Sequence, residues 1–224
     1  MTDPLAGFHW PTLAEQYDAR CRGFDRRSAH LAVFGVDRPA SDRALYHLLA
    51  QHYAPACLRV QADLGGLFEA LLYWKYYSQG TADRNIALFG APDTDTREQS
   101  VSGLRRLLTA LPTTIERSTN AVVGLVRDLS SYDVPCLGPT ALPTKTTLLH
   151  FAYPHVVPIF DKQVLKAVGE PGKGNHSFPV LRRYLPFAWE LSDRYGPQAA
   201  FGRGESALRA VDMALWVLRD PVAA

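Results

Sequence analysis

Two side chains sixteen residues apart, Lys145 and Asp161, have types and settings suited to chemistry at a sugar carbon. Lys145 falls in the first turn of an expected helix. There the positive end of the macrodipole and burial against Leu148 and Leu149 both disfavour the charged amine. A neutral amine is a nucleophile. Asp161 opens the next expected helix, where free backbone amides and Lys162 favour its ionised form. A stable carboxylate offsets the positive charge of an oxocarbenium-like carbon, or orients an attacking amine. The pair would suit cleavage of an N-glycosidic bond, followed by strand scission when the amine attacks. The bland alternatives are a plain helix cap for Asp161 and a solvated or phosphate-contacting lysine for Lys145.

Other residues read more plainly. His150 and His155 stand five apart, a poor spacing for one helical face, and are expected as core or surface histidines. Tyr73, Trp74, Tyr76, Tyr77, Trp189 and Trp216 are expected in the core; their functional version is a pocket that stacks an extruded base. Arg182, Arg183 and Arg203 suit phosphates or a solvated face. Arg209 and Asp212, three apart, are expected as a surface pair on a helix. Cys21, Cys57 and Cys136 have no C-x-x-C pairing and are expected as reduced, buried small hydrophobes. Gly138 to Thr146 has the wrong spacing for a phosphate-binding P-loop, and no G-x-S-x-G, H-E-x-x-H or G-x-G-x-x-G occurs.

The elements that carry these residues are helical almost throughout, because apolar residues recur at steps of three and four. Helices are expected over 12–21, from a Ser41 cap onward, and over 62–77 with a stop near Gly80. Residues 91–99 read as a polar connection. Further helices are expected from about 101 to 111 and over 113–129. Residues 130–143, rich in Ser, Pro and Gly, form a loop or hairpin. Thr144 is expected to cap a helix through 153, Pro154 and Pro158 to bracket an extended stretch, and Asp161 to cap a helix through 168. Long helices follow near 178–195 and 205–218. The chain is expected to be all-α and a single unit over 1–224, with a lobe boundary near 130–143.

The order of a small-residue hairpin, a lysine-bearing helix, a proline-containing crossing and an aspartate opening another helix is distinctive. The residues are Leu137-Gly-Pro-Thr-Ala-Leu-Pro-Thr-Lys145 and, further on, Phe160-Asp-Lys-Gln-Val164. This stretch resembles the core of the helix-hairpin-helix DNA glycosylase superfamily, where a glycine hairpin precedes a lysine and a V-D-x-x-V segment supplies the catalytic aspartate. The hairpin here keeps one glycine and has two prolines. The resemblance implies a two-lobed helical fold and excision of a damaged or modified base from duplex DNA, with or without lyase action. It makes Asp161 the catalytic carboxylate and Lys145 the Schiff-base lysine. DNA contacts would come from Gly138, Thr140, Thr144 and Thr146, and from Lys162, Lys166 and Lys173. No cofactor or metal is implied.

Composition bounds these readings. The chain has 224 residues, 24 basic against 22 acidic, a formal net charge of +2 and 47% hydrophobic residues, so it can bury a large core and is not a polybasic nucleic-acid binder. The basic charge is local. Residues 134–183 hold four lysines and two arginines against Asp161 and Glu170, a balance of +4, which leaves −2 on the remainder. That suits a localised, salt-sensitive contact. No run reaches the roughly 18 apolar residues of a membrane span, and the first residues do not resemble a signal peptide. A cytoplasmic protein is expected, nucleoid-associated if it binds DNA. Two further classes fit the same residues: a noncatalytic helical DNA-binding or protein-interaction module, and a helical enzyme acting on a nucleoside or other small molecule.

Overall fold

A computed structural model describes residues 1–21, 33–35, 41–76, 82–89, 94–170, 176–199 and 205–219. Among them the fold is all-α, with no strand: α1 (Leu13–Arg20), α2 (Asp42–Tyr53), α3 (Pro55–Leu58), α4 (Leu64–Tyr76), α5 (Ala82–Phe89), α6 (Thr94–Ala110), α7 (Thr119–Asp128), α8 (Leu142–Ala152), α9 (Lys162–Ala167), α10 (Phe178–Tyr195) and α11 (Ala207–Leu218). Single 3-10 turns at Trp10–Thr12 and Leu129–Tyr132 precede α1 and follow α7. No helix among the described residues is long and apolar enough to cross a membrane.

The helix starts follow from local capping chemistry. The Ser41 hydroxyl accepts the Ala44 amide, Ser118 that of Ala121 and Ser206 that of Arg209, each satisfying a first-turn amide that has no partner within its helix. Three expectations are corrected. The polar residues from Thr94 onward are the first turns of α6, because a helix with one buried face needs few apolar residues there and Asp95 favours the dipole. Helix α7 starts at Thr119 rather than near 113, since Ser118 supplies the cap. Helix α8 begins at Leu142, uncapped by a side chain, with Pro143 in its first turn in place of one amide that would otherwise need a partner. Thr144 therefore lies inside the helix, and its hydroxyl meets that of Tyr76.

One continuous apolar core joins the elements. Helix α4, apolar nearly all round, packs against α2, α5, α6 and α8, as a central buried helix must. Helix α11 packs against α1, α9 and α10, so the N-terminal helix closes onto the C-terminal ones; α7 touches both α8 and α10. Between α8 and α9 the chain turns at 153–156 and then crosses without regular structure, where an extended stretch is expected. Its backbone is held by side chains. Trp189 Nε1 donates to the Val156 carbonyl, His150 Nδ1 to Val157 and Tyr184 Oη to Ile159, while the Phe160 amide donates to Thr146 Oγ1 at 3.1 Å. This crossing delivers Asp161.

Candidate active site

Asp161 caps α9 from an extended backbone conformation, accepting the amides of Gln163 at 2.8 Å and Val164 at 3.2 Å through Oδ1. Its other oxygen, Oδ2, accepts a bond of 2.8 Å from Lys75 Nζ, which α4 projects from its last turn. Burial by itself raises the Asp161 carboxyl. The Lys75 ammonium, the bond from it and the two amides together outweigh burial and hold the group below its ordinary value. Asp161 is therefore a carboxylate at neutral pH.

The pair stands on the wall of a cavity of about 40 Å³, with Tyr17, Trp74 and Trp216 as its aromatic sides and Asp42, Arg209 and Asp212 as its other charges. The expectation of a surface pair at Arg209 and Asp212 is overturned: Arg209 is 2% exposed and Asp212 6%. Arg209 donates through one terminal nitrogen to Asp212 and through the other to Tyr17 Oη at 2.8 Å and Asp42 Oδ2 at 3.2 Å. Tyr17 in turn donates to Asp42 at 2.7 Å. The guanidinium carbon lies 4.8, 5.0 and 5.2 Å from the ring centroids of Tyr46, Trp74 and Tyr17. A weakly hydrated, delocalised cation is suited to such a cage.

Three carboxylates and two cations share this wall, so full ionisation would leave one buried charge unmatched. The acids respond accordingly. Burial, with Asp161 adding repulsion, pushes Asp212 up to about 6 despite Arg209, and burial also raises Asp42. One acid held ionised beside another held close to protonation is the division of labour that acid and base chemistry on one substrate needs.

Lys145 lies elsewhere in the contact network. It is wholly buried on α8, and its ammonium donates to the Ser130 hydroxyl in the 3-10 turn after α7. Burial lowers its pKa. The amine in contact with Asp161 is that of Lys75. Of the residues expected to meet DNA, Gly138 and Thr140 are exposed on the loop before α8, and Lys162 and Lys166 are exposed on α9 directly after Asp161. Thr144 and Thr146 are buried. Thr146 Oγ1 donates to the Leu142 carbonyl at 3.0 Å and accepts the Phe160 amide, which leaves it no open face for a phosphate. Lys173, Arg203 and Tyr77 lie outside the described residues.

The remaining expectations divide. His150 is buried, donating through Nδ1 to Val157 and accepting the Tyr46 hydroxyl at Nε2, whereas His155 is exposed. Arg182 meets Asn120 and Arg183 meets Glu170, both at the surface. Tyr73, Trp74 and Trp189 are buried, and Tyr76 and Trp216 partly so. All three cysteines are thiols rather than disulfides; Cys21 is buried, Cys136 partly so and Cys57 exposed, which corrects the expectation of three buried thiols. Among the described residues no cluster of His, Cys, Asp and Glu could hold a metal ion.

Sequence reasoning missed Lys75 and Asp42. Lys75 had a signal: one ammonium within Leu71-Leu-Tyr-Trp-Lys-Tyr76, an otherwise apolar helix end. Such a charge is either exposed at a helix edge or paired inside, and the broad apolar face of α4 leaves little edge. Asp42 carried no such mark, since an aspartate after a capping serine ordinarily faces solvent. Compared with protein-family models, with curated proteins and with solved structures, the chain matches none.

Proposed function

We propose that the chain is a DNA N-glycosylase of the helix-hairpin-helix type, excising a damaged or modified base through Asp161. The observation that carries this reading is the Asp161 carboxylate, kept ionised by Lys75 and two backbone amides on the wall of an aromatic-sided cavity. There it would stabilise positive charge on C1′ as the base leaves. Asp212, close to half-protonated near pH 6, would be able to give a proton to the departing base. Lys75 would position Asp161. It would not itself attack, because its ammonium is committed to the carboxylate. Lys145 would serve a lyase step only if its amine left Ser130, so water is the favoured nucleophile. The exposed Gly138, Thr140, Lys162 and Lys166 would meet phosphates beside the cavity. The packing of α2, α5 and α6 around α4, and of α1, α9 and α10 around α11, supports a two-lobed arrangement.

A panel of oligonucleotides carrying modified bases tests the reading, with wild type, Asp161→Asn and Lys145→Gln compared under borohydride trapping. Base release that Asp161→Asn abolishes and Lys145→Gln leaves intact, without a trapped adduct, is expected. Release that survives Asp161→Asn would refute it.

One observation favours a second reading, a noncatalytic module that keeps the fold. The cavity of about 40 Å³ holds roughly three waters, not a nucleobase, unless the partly exposed Trp216 swings aside. On that reading Asp161→Asn would weaken folding and leave DNA affinity, or its absence, unchanged.

A further inference from the structure

Two hydrogen-bond donors on residues that line the cavity have no acceptor among the described residues. Trp74 Nε1 and Arg209 Nε are both buried without a hydrogen-bond partner, on residues 7% and 2% exposed. They belong to one contact, since the Arg209 guanidinium lies 5.0 Å from the Trp74 ring centroid, and both residues line the cavity that Asp161 and Lys75 share. Buried donors are nearly always satisfied, because each one left bare costs the hydration it has lost. Two bare donors on one wall mark a place where a ligand brings an acceptor.

The charge on the wall says which acceptor. Asp42, Asp161 and Asp212 already outnumber Lys75 and Arg209, so an anionic ligand would add an uncompensated buried charge. A neutral oxygen adds none. The oxygen must also be small at its leading edge, because the cavity has only about 40 Å³ to offer. A carbonyl satisfies all three conditions: it presents lone pairs to two donors, carries no charge and is narrow.

We infer that Trp74 Nε1 and Arg209 Nε are the specificity donors of the site and that the base it takes presents a carbonyl oxygen to them. The substrate class is then an oxo-substituted base, discriminated from an amino-substituted base of the same shape. This inference rests on reading the cavity as the site of N-glycosidic cleavage. The same two bonds would strengthen as the base departs and negative charge gathers on its carbonyl oxygen, so the donors would assist departure as well as selection.

The test uses the full chain labelled with 15N at its four tryptophan indoles, with the Trp74 signal assigned by its loss in Trp74→Phe. Acetamide and hypoxanthine, each carrying a carbonyl, are expected to move the Trp74 indole proton downfield. Adenine, which matches hypoxanthine in shape but has no carbonyl, and formate, an anion of small size, are expected not to. In Trp74→Phe, which keeps an aromatic ring, the preference for hypoxanthine over adenine is expected to fall about tenfold, the scale of one buried hydrogen bond. An indole signal unmoved by either carbonyl would overturn the inference, whether upfield, with its N–H against the Phe151 ring that lies nearly perpendicular to Trp74 at 5.1 Å, or downfield, with a buried water as its acceptor. A response to formate as strong as to acetamide would also overturn it. Asp161-dependent excision with no preference for oxo bases would refute the donors and spare the glycosylase reading. A carbonyl response without any excision would uphold the donors as a binding site and refute that reading.

Discussion

Asp161 bears two loads at once, and substitution separates them. Asp161→Asn keeps the helix cap, since Asn accepts amide bonds as well as Asp. It leaves Lys75, which is 9% exposed, with a buried charge and no partner. Breaking one side of such a pair costs about 3–5 kcal/mol, so denaturant unfolding should show a loss of that size. Adding Lys75→Met should recover much of it without restoring excision. Two other groups make stability depend on pH in opposite directions. Asp212 sits near 6 in the fold against about 3.9 unfolded. Between about pH 4 and 6 the native state therefore holds a proton the unfolded chain has lost, and stability falls as pH rises. His150, pushed down to about 3 by burial, is the reverse. From about pH 3 to 6.5 the unfolded chain binds a proton that the native state refuses, and stability rises with pH. Urea midpoints measured between about pH 4 and 6 should change slope in opposite directions when each group is removed from the wild type. Relative to wild type the slope should become more positive in Asp212→Asn and more negative in His150→Asn. A single shared slope in all three proteins would contradict the assignment.

At the scale of elements, α6 and the turn at Leu129–Tyr132 approach as closely as backbone allows. A Cβ on Gly103 would lie 2.6 Å from the Tyr132 carbonyl oxygen, a backbone atom that cannot rotate away. Gly103→Ala should therefore cost about 1–3 kcal/mol as an overpacked contact, whereas Gly124→Ala on α7, where a Cβ meets open space, should be neutral or mildly stabilising. Comparing the two melting temperatures tests this, and equal shifts would refute the close approach. The helices with periodic apolar faces and a serine or aspartate before them were legible in the sequence within two residues, α9, α10 and α11 at both ends and α2 at its start. The starts of α6 and α7 were not. Polar first turns look like loops when their only buried partners are distant in sequence, and the Ser118 cap is one serine among several candidates.

For the whole molecule, the proposed function requires a salt-dependent DNA contact at the basic segment 134–183. Each phosphate neutralised contributes about −0.9 to the slope of log K against log salt. Replacing the exposed Lys162 and Lys166 together should thus flatten the slope by up to about 2 while leaving base selection unchanged, as fluorescence anisotropy on duplex DNA would report. An unaltered slope would place the DNA elsewhere. The sequence by itself determined that the chain is helical and that Asp161 opens a helix after a proline crossing, and it left Lys145 open between a buried amine and a solvated one. These follow from apolar periodicity, capping preference and helix position, which act over a few residues. Only the tertiary structure decided that the partner of Asp161 is Lys75, eighty-six positions away, and that Arg209 and Asp212 leave the surface to join Tyr17 and Asp42. Such pairings are set by which helix faces pack together. A buried charge draws its partner from any element that packing brings within hydrogen-bond reach, and nothing in local sequence records that choice.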